Sequence, residues 1–259
     1  MLKPMSDLET LATNYHTRLC PLYLWDGQGA AIIGTGIPFL LGERGYIVTA
    51  AHVLMKLQRG GGLFTVGNSG FIPLLAEKAA ITADPRIDID MGLIGLLDEE
   101  EAAMNVRYHF TTPADCSVLI EHDARIVHLF MGYPYTRNKL PAPSVPEVRV
   151  TPTYLITNRL LDVSSLKLEK KAPEVHFAMS MPKKKVRRFD GSAAGVPEMG
   201  GMSGGGVWRV ELDRTGQVLS ATLVGIGIEH HGNKSTIIAT KIASLGKLWG
   251  HYLASCKAE

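Results

Sequence analysis

One serine in this chain is surrounded by residues that could prepare it for nucleophilic chemistry. The segment from Gly200 to Gly206 has the sequence Gly-Gly-Met-Ser-Gly-Gly-Gly and contains Ser203. A serine hydroxyl is a poor nucleophile until a base removes its proton and nearby donors hold the negative charge that develops. Backbone N–H groups supply such donors where the chain turns tightly, and glycine makes these turns without steric cost. The segment therefore predicts a nucleophile beside its oxyanion hole.

A histidine and an aspartate that could complete this site lie earlier in the chain. His52 stands in the sequence Thr-Ala-Ala-His-Val, directly after the apolar run Tyr46–Val48. Further along, the sequence Asp-Ile-Asp-Met-Gly-Leu-Ile begins at Asp88 and includes Asp90. A base that takes the serine proton and a carboxylate that orients the base are the two remaining parts of a nucleophilic triad.

In this order, the three segments resemble those of the chymotrypsin/trypsin-like serine protease superfamily. The usual signatures of that superfamily are TAAHC or TAAHV, then D-I-A-L-L, then GDSGGP or GNSGGP. Three further segments are similar to the strand before its histidine, the start of its second barrel and a strand along its substrate cleft: Gly34–Gly36, Gly132–Pro134 and Thr222–Ile226. The likeness extends over residues 17–256.

The resemblance implies a role for each of these residues. Ser203 is the expected nucleophile, His52 the general base and then general acid, and Asp90 the carboxylate that fixes the imidazole tautomer. The backbone N–H groups of Gly201 and Ser203 are expected to form the oxyanion hole. We choose Asp90 over Asp88 because a glycine then stands two positions after the aspartate, where the family has a small residue.

The resemblance also places the substrate-binding residues, although their preference stays open. Pro197, six residues before Ser203, would lie at the base of the primary specificity pocket, where trypsin has the aspartate that selects lysine or arginine. Ile228, Glu229 and His230 would form the cleft wall that pairs with the substrate backbone by β-strand addition. Glu229 could favour a basic substrate residue, and His230 or its neighbour an acidic one. Alternatively, all three could be solvated residues at the rim.

Met202 departs from the family pattern. Secreted digestive members carry an aspartate directly before the nucleophile, and that aspartate captures the new N-terminus after activation cleavage. Here the position holds a methionine, so an ion pair of this kind cannot form. We expect an enzyme that needs no N-terminal processing or that is controlled by other means.

The strand pattern predicts the framework that would position these residues. Short apolar runs separated by turn residues form two groups, which indicates an all-β chain of two packed barrels. The resemblance implies six antiparallel strands in each chymotrypsin-like barrel, and helical spacing of apolar residues predicts a helix at each end. The segment 161–173 is expected to be a surface loop. The predicted units are an N-terminal helical extension (1–16), a first barrel with His52 and Asp90 (17–120), a second barrel with Ser203 (121–242) and a C-terminal helix (243–259).

Composition argues against several classes of partner and cofactor. With 259 residues, 46% hydrophobic and 20% charged, the chain is typical of a globular protein. Its net charge of +2 is too small to indicate a nucleic-acid or membrane partner. The basic run 183–188 is interpreted as a solvated loop, with a nuclear-localisation or anion-binding patch as the alternative. Neither a CxxC pair nor an HExxH motif occurs, so we expect no metal and no cofactor.

Cysteine usage bears on the cellular compartment. The three cysteines, Cys20, Cys116 and Cys256, are odd in number and far apart, whereas secreted members of the superfamily usually carry several disulfides. The first residues are too polar for a signal peptide, and no apolar run approaches the roughly 18 residues that span a bilayer. We therefore expect a cytoplasmic protein.

Three functions remain open at this point. The favoured one is an intracellular serine endopeptidase that cleaves a specific protein or peptide substrate through an acyl-enzyme, restricted by its own specificity or by a protein activator. The second is a binding module that keeps the protease fold without activity. The third is an esterase that acts on small acyl substrates. An α/β-hydrolase is disfavoured. In that class the serine precedes the acid and the histidine in the chain, whereas here Ser203 follows both.

Overall fold

The described structure consists of two antiparallel β-sheets, with short helices near both ends of the chain. The computed structural model describes residues 5–25, 27, 29–59, 61–68, 70–75, 79–81, 89–121, 123–139, 150–181, 198–233 and 235–256. This arrangement confirms the predicted all-β architecture with two barrels and terminal helices.

The first sheet contains seven described strands from the N-terminal part of the chain. Their order is β5-β4-β1-β2-β3-β7-β6, and each neighbouring pair is antiparallel. Gly42, with a φ of 64°, makes the tight turn between β2 and β3. The strands are β1 (Cys20–Trp25), β2 (Ala30–Leu41), β3 (Arg44–Thr49), β4 (Gly62–Gly67), β5 (Gly70–Leu74), β6 (Ala79–Ile81) and β7 (Gly92–Gly95).

The second sheet also contains seven described strands. Their order is β10-β11-β14-β13-β12-β8-β9, again with antiparallel neighbours. The longest strand, β13, pairs with two strands and extends past the end of β12. The strands are β8 (Ile126–Gly132), β9 (Thr153–Thr157), β10 (Leu160–Leu161), β11 (His176–Ser180), β12 (Gly206–Leu212), β13 (Val218–His231) and β14 (Thr236–Lys241).

The two edge strands of each sheet are consecutive in the chain. In the first sheet these are β5 and β6, and in the second they are β9 and β10. Since only a few residues separate each pair, the two edges of each sheet lie close together, as closure into a barrel requires. Each sheet is described as seven strand segments, where the resemblance implied six strands for each barrel.

Four helices accompany the sheets in the described part of the chain. The N-terminal helix α1 (Met5–Tyr15) packs on the second sheet, where Tyr15 makes an edge-to-face contact with Trp208 at 5.6 Å between ring centroids. The C-terminal helix α4 (Leu245–Cys256) packs on the first sheet, where Trp249 contacts Tyr46 in the same way at 4.8 Å. Each terminal helix therefore covers the barrel that is distant from it in sequence. The other two helices are α2 (Ala51–Leu54) and α3 (Asp98–Asn105).

Candidate active site

His52 and Asp90 form a two-point contact within the first sheet. His52 lies in α2, which begins directly after β3, and Asp90 lies just before β7. The backbone N–H of His52 donates to Asp90 Oδ1 at 2.9 Å, and Nδ1 lies 2.7 Å from Asp90 Oδ2. An ionised carboxylate only accepts hydrogen bonds, so Nδ1 carries the proton and Nε2 of the neutral ring is left as the basic nitrogen. This contact can therefore fix the tautomer that a general base needs.

The backbone at Asp90 is held in an unusual conformation by both sheets. Asp90 has a φ of 37°, in the left-handed region that aspartate tolerates better than most residues. Its side chain is 8% exposed, whereas that of His52 is 38% exposed. From the second sheet, the hydroxyl of Thr240 on β14 donates to the carbonyl of Ile89 at 2.7 Å. The carboxylate that contacts His52 is thus Asp90, and Asp88 lies outside the described residues.

Ser203 lies in a tight loop that ends at β12. The Met202 N–H donates to the Met199 carbonyl at 3.0 Å, and the N–H of Gly205 donates to the Met202 carbonyl at 2.9 Å. Gly201 and Gly204 have φ values of 88° and 86°, which side-chain-bearing residues rarely adopt. Glycine is therefore required at positions 201 and 204 by the backbone path of the loop.

Thr35, on β2, attaches this loop to the first sheet. Its N–H donates to the Ser203 carbonyl at 2.8 Å, and its hydroxyl donates to the Gly201 carbonyl at 2.8 Å. The same hydroxyl accepts a hydrogen bond from the N–H of Tyr133 at 2.9 Å, and Thr35 is fully buried. Thr35 lies in the Gly34–Gly36 segment, but sequence reasoning did not identify its hydroxyl as a support of the serine loop.

The serine loop and the histidine helix meet at Gly204. A Cβ on Gly204 would lie 2.1 Å from the Thr35 carbonyl oxygen and 3.0 Å from the backbone nitrogen of Ala50. Since Gly204 follows Ser203 and Ala50 stands two residues before His52, this close approach brings the two predicted residues to one junction between the sheets. Only a residue without a side chain permits it.

The Ser203 hydroxyl is weakly held. Among the described residues, its hydrogen bond goes to the Ile228 carbonyl oxygen at 3.5 Å, which is long for an O–H donor. In unliganded enzymes, the hydrogen bond between nucleophile and base is often long or unformed and tightens only when substrate binds. Little therefore opposes rotation of this hydroxyl towards a base.

Two backbone donors beside Ser203 have no acceptor within the described part of the chain: the N–H groups of Gly201 and Ser203. The Gly200 carbonyl accepts from the N–H of Tyr135 at 2.6 Å. Because carbonyl and N–H point in opposite directions across a trans peptide, the Gly201 N–H faces away from Tyr135. Donors fixed in this way can stabilise negative charge that develops nearby without reorganising.

A small pocket opens beside Ser203. Its polar wall residues include Glu229 and His230, which follow Ile228 on β13. Within the described residues, β14 pairs with one edge of the strand from 228 to 231, and the other edge has no strand partner because β12 ends its pairing at Ile226. Pro197, predicted at the base of this pocket, lies outside the described residues. Five apolar residues of the wall are Phe130, Met199, Met202, Ile228 and Ile237.

The Glu229 carboxylate is engaged by two basic side chains. Lys171 Nζ lies 2.6 Å from Oε1, and His231 Nε2 lies 2.8 Å from Oε2. Burial raises the pKa of Glu229, but its hydrogen bonds and charge interactions with Lys171 and His231 outweigh burial, so the pKa lies below its usual value. The Lys171 side chain is only 3% exposed, although it lies in the segment 161–173 that we expected to be a surface loop. That expectation was wrong for Lys171, since the sequence does not indicate its distant partner.

Cysteine offers no rival nucleophile in the part of the chain whose side chains are described. Cys20 and Cys116 are both unpaired, and burial raises the pKa of each thiol to about 12. A thiol with so high a pKa stays protonated and unreactive near neutral pH.

The described residues contain no group of three or more histidine, cysteine, aspartate or glutamate side chains that could hold a metal ion. In the same residues, no helix is both long enough and apolar enough to cross a bilayer.

Comparison with known proteins bears on the fold. No family profile and no curated protein matches the sequence. The structure is similar to the protease Anisep from Arthrobacter nicotinovorans, with 11% sequence identity, a TM-score of 0.50, and coverage of 92% of this chain and 96% of that chain. It is also similar to the thermostable serine protease AL20 from an extremophilic microorganism, with 10% identity, a TM-score of 0.47, and coverage of 91% and 96%. At such identities the likeness concerns the fold alone, and the chain has the two-barrel, chymotrypsin-like fold that its motifs predicted.

Proposed function

We propose that the protein is a serine endopeptidase that hydrolyses peptide bonds through Ser203, His52 and Asp90. The observation that carries the proposal is the two-point contact of His52 with Asp90, at a junction with a serine loop in which two N–H donors have no acceptor among the described residues. Histidine–carboxylate pairs also occur as purely structural contacts. Donors without an acceptor beside such a pair favour catalysis, since an oxyanion would satisfy them.

In the first half of the proposed reaction, His52 Nε2 takes the proton of Ser203 Oγ while Oγ attacks the carbonyl carbon of the substrate. The N–H groups of Gly201 and Ser203 donate to the oxyanion that forms. His52 then gives the proton to the leaving amine, the C–N bond breaks, and an acyl-enzyme remains. Asp90 holds the imidazole throughout and stabilises its protonated form.

In the second half, water replaces the amine. His52 takes a proton from the water molecule, whose oxygen attacks the acyl carbon, and the new oxyanion occupies the same two donors. Return of the proton to Ser203 Oγ releases the carboxylic acid and restores the enzyme. The edge of β13 beside Ile228, which has no strand partner among the described residues, is suited to hold an extended substrate by main-chain hydrogen bonds.

The test of this function is digestion of a complex peptide mixture, with new termini identified by mass spectrometry. We expect the wild type to generate a defined set of cleavages that Ser203→Ala and His52→Ala lose. An esterase would hydrolyse activated esters and leave all peptides intact. A binding module would do neither, and both results would contradict the proposal.

We further propose that the enzyme works inside the cell on a restricted set of proteins. The unpaired Cys20 and Cys116 suit a reducing compartment. Met202 is 1% exposed and packs in an apolar cluster, so apolar contacts can hold the serine loop in place of an ion pair made after processing. Control by a protein activator is the alternative to control by specificity, and adding cell lysate to an inactive preparation would separate the two.

A further inference from the structure

The charge on the wall of the pocket beside Ser203 suggests which substrates enter it. Among the described residues that line the pocket, Glu229 is the acidic one. Its two carboxylate oxygens contact Lys171 and His231. Lys171 carries +1 and Glu229 carries −1, so the pair sums to zero, with the two charges only 2.6 Å apart. A cation entering the pocket would thus meet a carboxylate whose charge Lys171 already balances.

Apart from Ser203 and His230, the rest of the described wall is apolar. Four of its apolar side chains, those of Phe130, Met202, Ile228 and Ile237, are at most 2% exposed, so they are fixed by packing. Moving a charged side chain from water into such surroundings is costly unless a partner of opposite charge is available. An apolar side chain instead gains free energy in proportion to the surface that it removes from water.

We propose that the pocket accepts an uncharged, apolar side chain of the residue whose carbonyl Ser203 attacks, and that Lys171 determines this preference by neutralising Glu229. This inference rests on the proposed endopeptidase function and adds the substrate class. Under this proposal Glu229 is one half of a compensated pair, in place of a selector of basic side chains or a solvated rim residue. Lys171 acts on specificity through Glu229 and does not touch the reacting atoms.

The experiment compares rates of covalent labelling of Ser203 by peptidyl phosphonates that differ only in the side chain entering the pocket, which is that of leucine, lysine or glutamate. Each rate is divided by the rate with a simple alkyl fluorophosphonate on the same protein. This ratio removes any general loss of nucleophilicity or folding. On the wild type we expect the leucine probe to react at least about tenfold faster than the other two, which corresponds to about 1.4 kcal/mol.

Variants test the part played by Lys171. Lys171→Gln should remove the lysine cation from Glu229, leaving His231 as its described basic partner, and raise the relative rate of the lysine probe by about tenfold. The double variant Lys171→Gln/Glu229→Gln should lose that gain, because the carboxylate responsible for it is gone. Lys170→Gln is the matched control, since it removes the same charge from an exposed neighbouring position.

The outcomes are separable. A wild type that reacts fastest with the lysine or the glutamate probe, or with none of the three while the fluorophosphonate labels it, overturns the proposed substrate class. An unchanged ratio in Lys171→Gln, or an equal change in Lys170→Gln, overturns the role of Lys171. If the fluorophosphonate itself fails to label Ser203, the endopeptidase function fails instead. The wild-type comparison remains decisive even if Lys171→Gln does not fold.

Discussion

Replacement of Gly201 by alanine should impair both the chemistry of Ser203 and the stability of the fold. The added Cβ would lie 2.6 Å from the Tyr133 carbonyl oxygen and 3.0 Å from the Tyr135 nitrogen, whereas ordinary contacts begin near 3.4 Å. The φ of 88° adds about 1–2 kcal/mol of strain for a residue with a side chain. The simplest relief is rotation of the Gly200–Gly201 peptide away from Tyr135. That rotation breaks a hydrogen bond worth about 1 kcal/mol and turns the Gly201 N–H away from the oxyanion position.

The expected magnitudes follow from these contacts. Strain and the lost hydrogen bond together should lower the free energy of unfolding by about 2–3 kcal/mol. Loss of one oxyanion donor should slow the reaction by about 10²–10³-fold. The assay is the second-order rate constant for fluorophosphonate labelling of Ser203, followed by intact mass, together with denaturant unfolding of each variant.

Gly200→Ala is the matched control. A Cβ at Gly200 would meet no atom within 4 Å, and its φ is not in the left-handed region. Its labelling rate should remain within about threefold of the wild type, a difference of less than 1 kcal/mol. Folded Gly201→Ala protein that reacts as fast as Gly200→Ala would refute the assignment of the oxyanion hole.

Four further changes test other parts of the account. Gly204→Ala places a Cβ 2.1 Å from a backbone oxygen, and should lower the free energy of unfolding by about 3 kcal/mol or more, measured by denaturant titration against Gly200→Ala. Thr35→Val removes a buried hydroxyl with two hydrogen bonds and should cost about 1–3 kcal/mol by the same assay, while an unchanged stability would contradict its role in joining the sheets. Asp90→Asn should slow labelling by about 10⁴-fold because it favours the wrong imidazole tautomer, and a rate near that of the wild type would exclude Asp90. The pKa of Glu229 lies below its ordinary value of 4.5, so its ionised form stabilises the fold above that pH and the contribution is lost as pH falls below it. Glu229→Gln should therefore lower the unfolding free energy more at about pH 7 than at about pH 3, and an equal effect at both would contradict this.

The sequence could predict those parts of the site that depend on residues close together in the chain. Gly201 and Gly204 have positive φ values that favour glycine. The tight backbone path around Ser203 is therefore visible in the sequence as a cluster of glycines. The strands also follow from local apolar runs. The helix α3 begins with four acidic residues, a pattern typical of a helix N-terminus, and we did not predict it although the signal was present.

The parts that sequence could not predict depend on residues distant in the chain. Lys171, in the loop before β11, and Glu229, on β13, are distant in the chain and meet only in the folded protein. A lysine in a polar segment gives no sign that it will be buried. The same holds for Thr35, whose hydroxyl contacts Gly201 and Tyr133 across the junction of the two sheets. An apolar pocket wall likewise arises from tertiary packing, since its residues come from β8, the serine loop, β13 and β14.

The central claim is that Ser203 is a nucleophile activated by His52 and held by Asp90. Its most direct test is intact-mass analysis after fluorophosphonate treatment of the wild type, Ser203→Ala and His52→Ala, with folding of each protein verified. We expect one adduct on the wild type that is absent from both variants. An adduct that persists in Ser203→Ala, equal labelling of His52→Ala, or no adduct on the folded wild type would contradict the account.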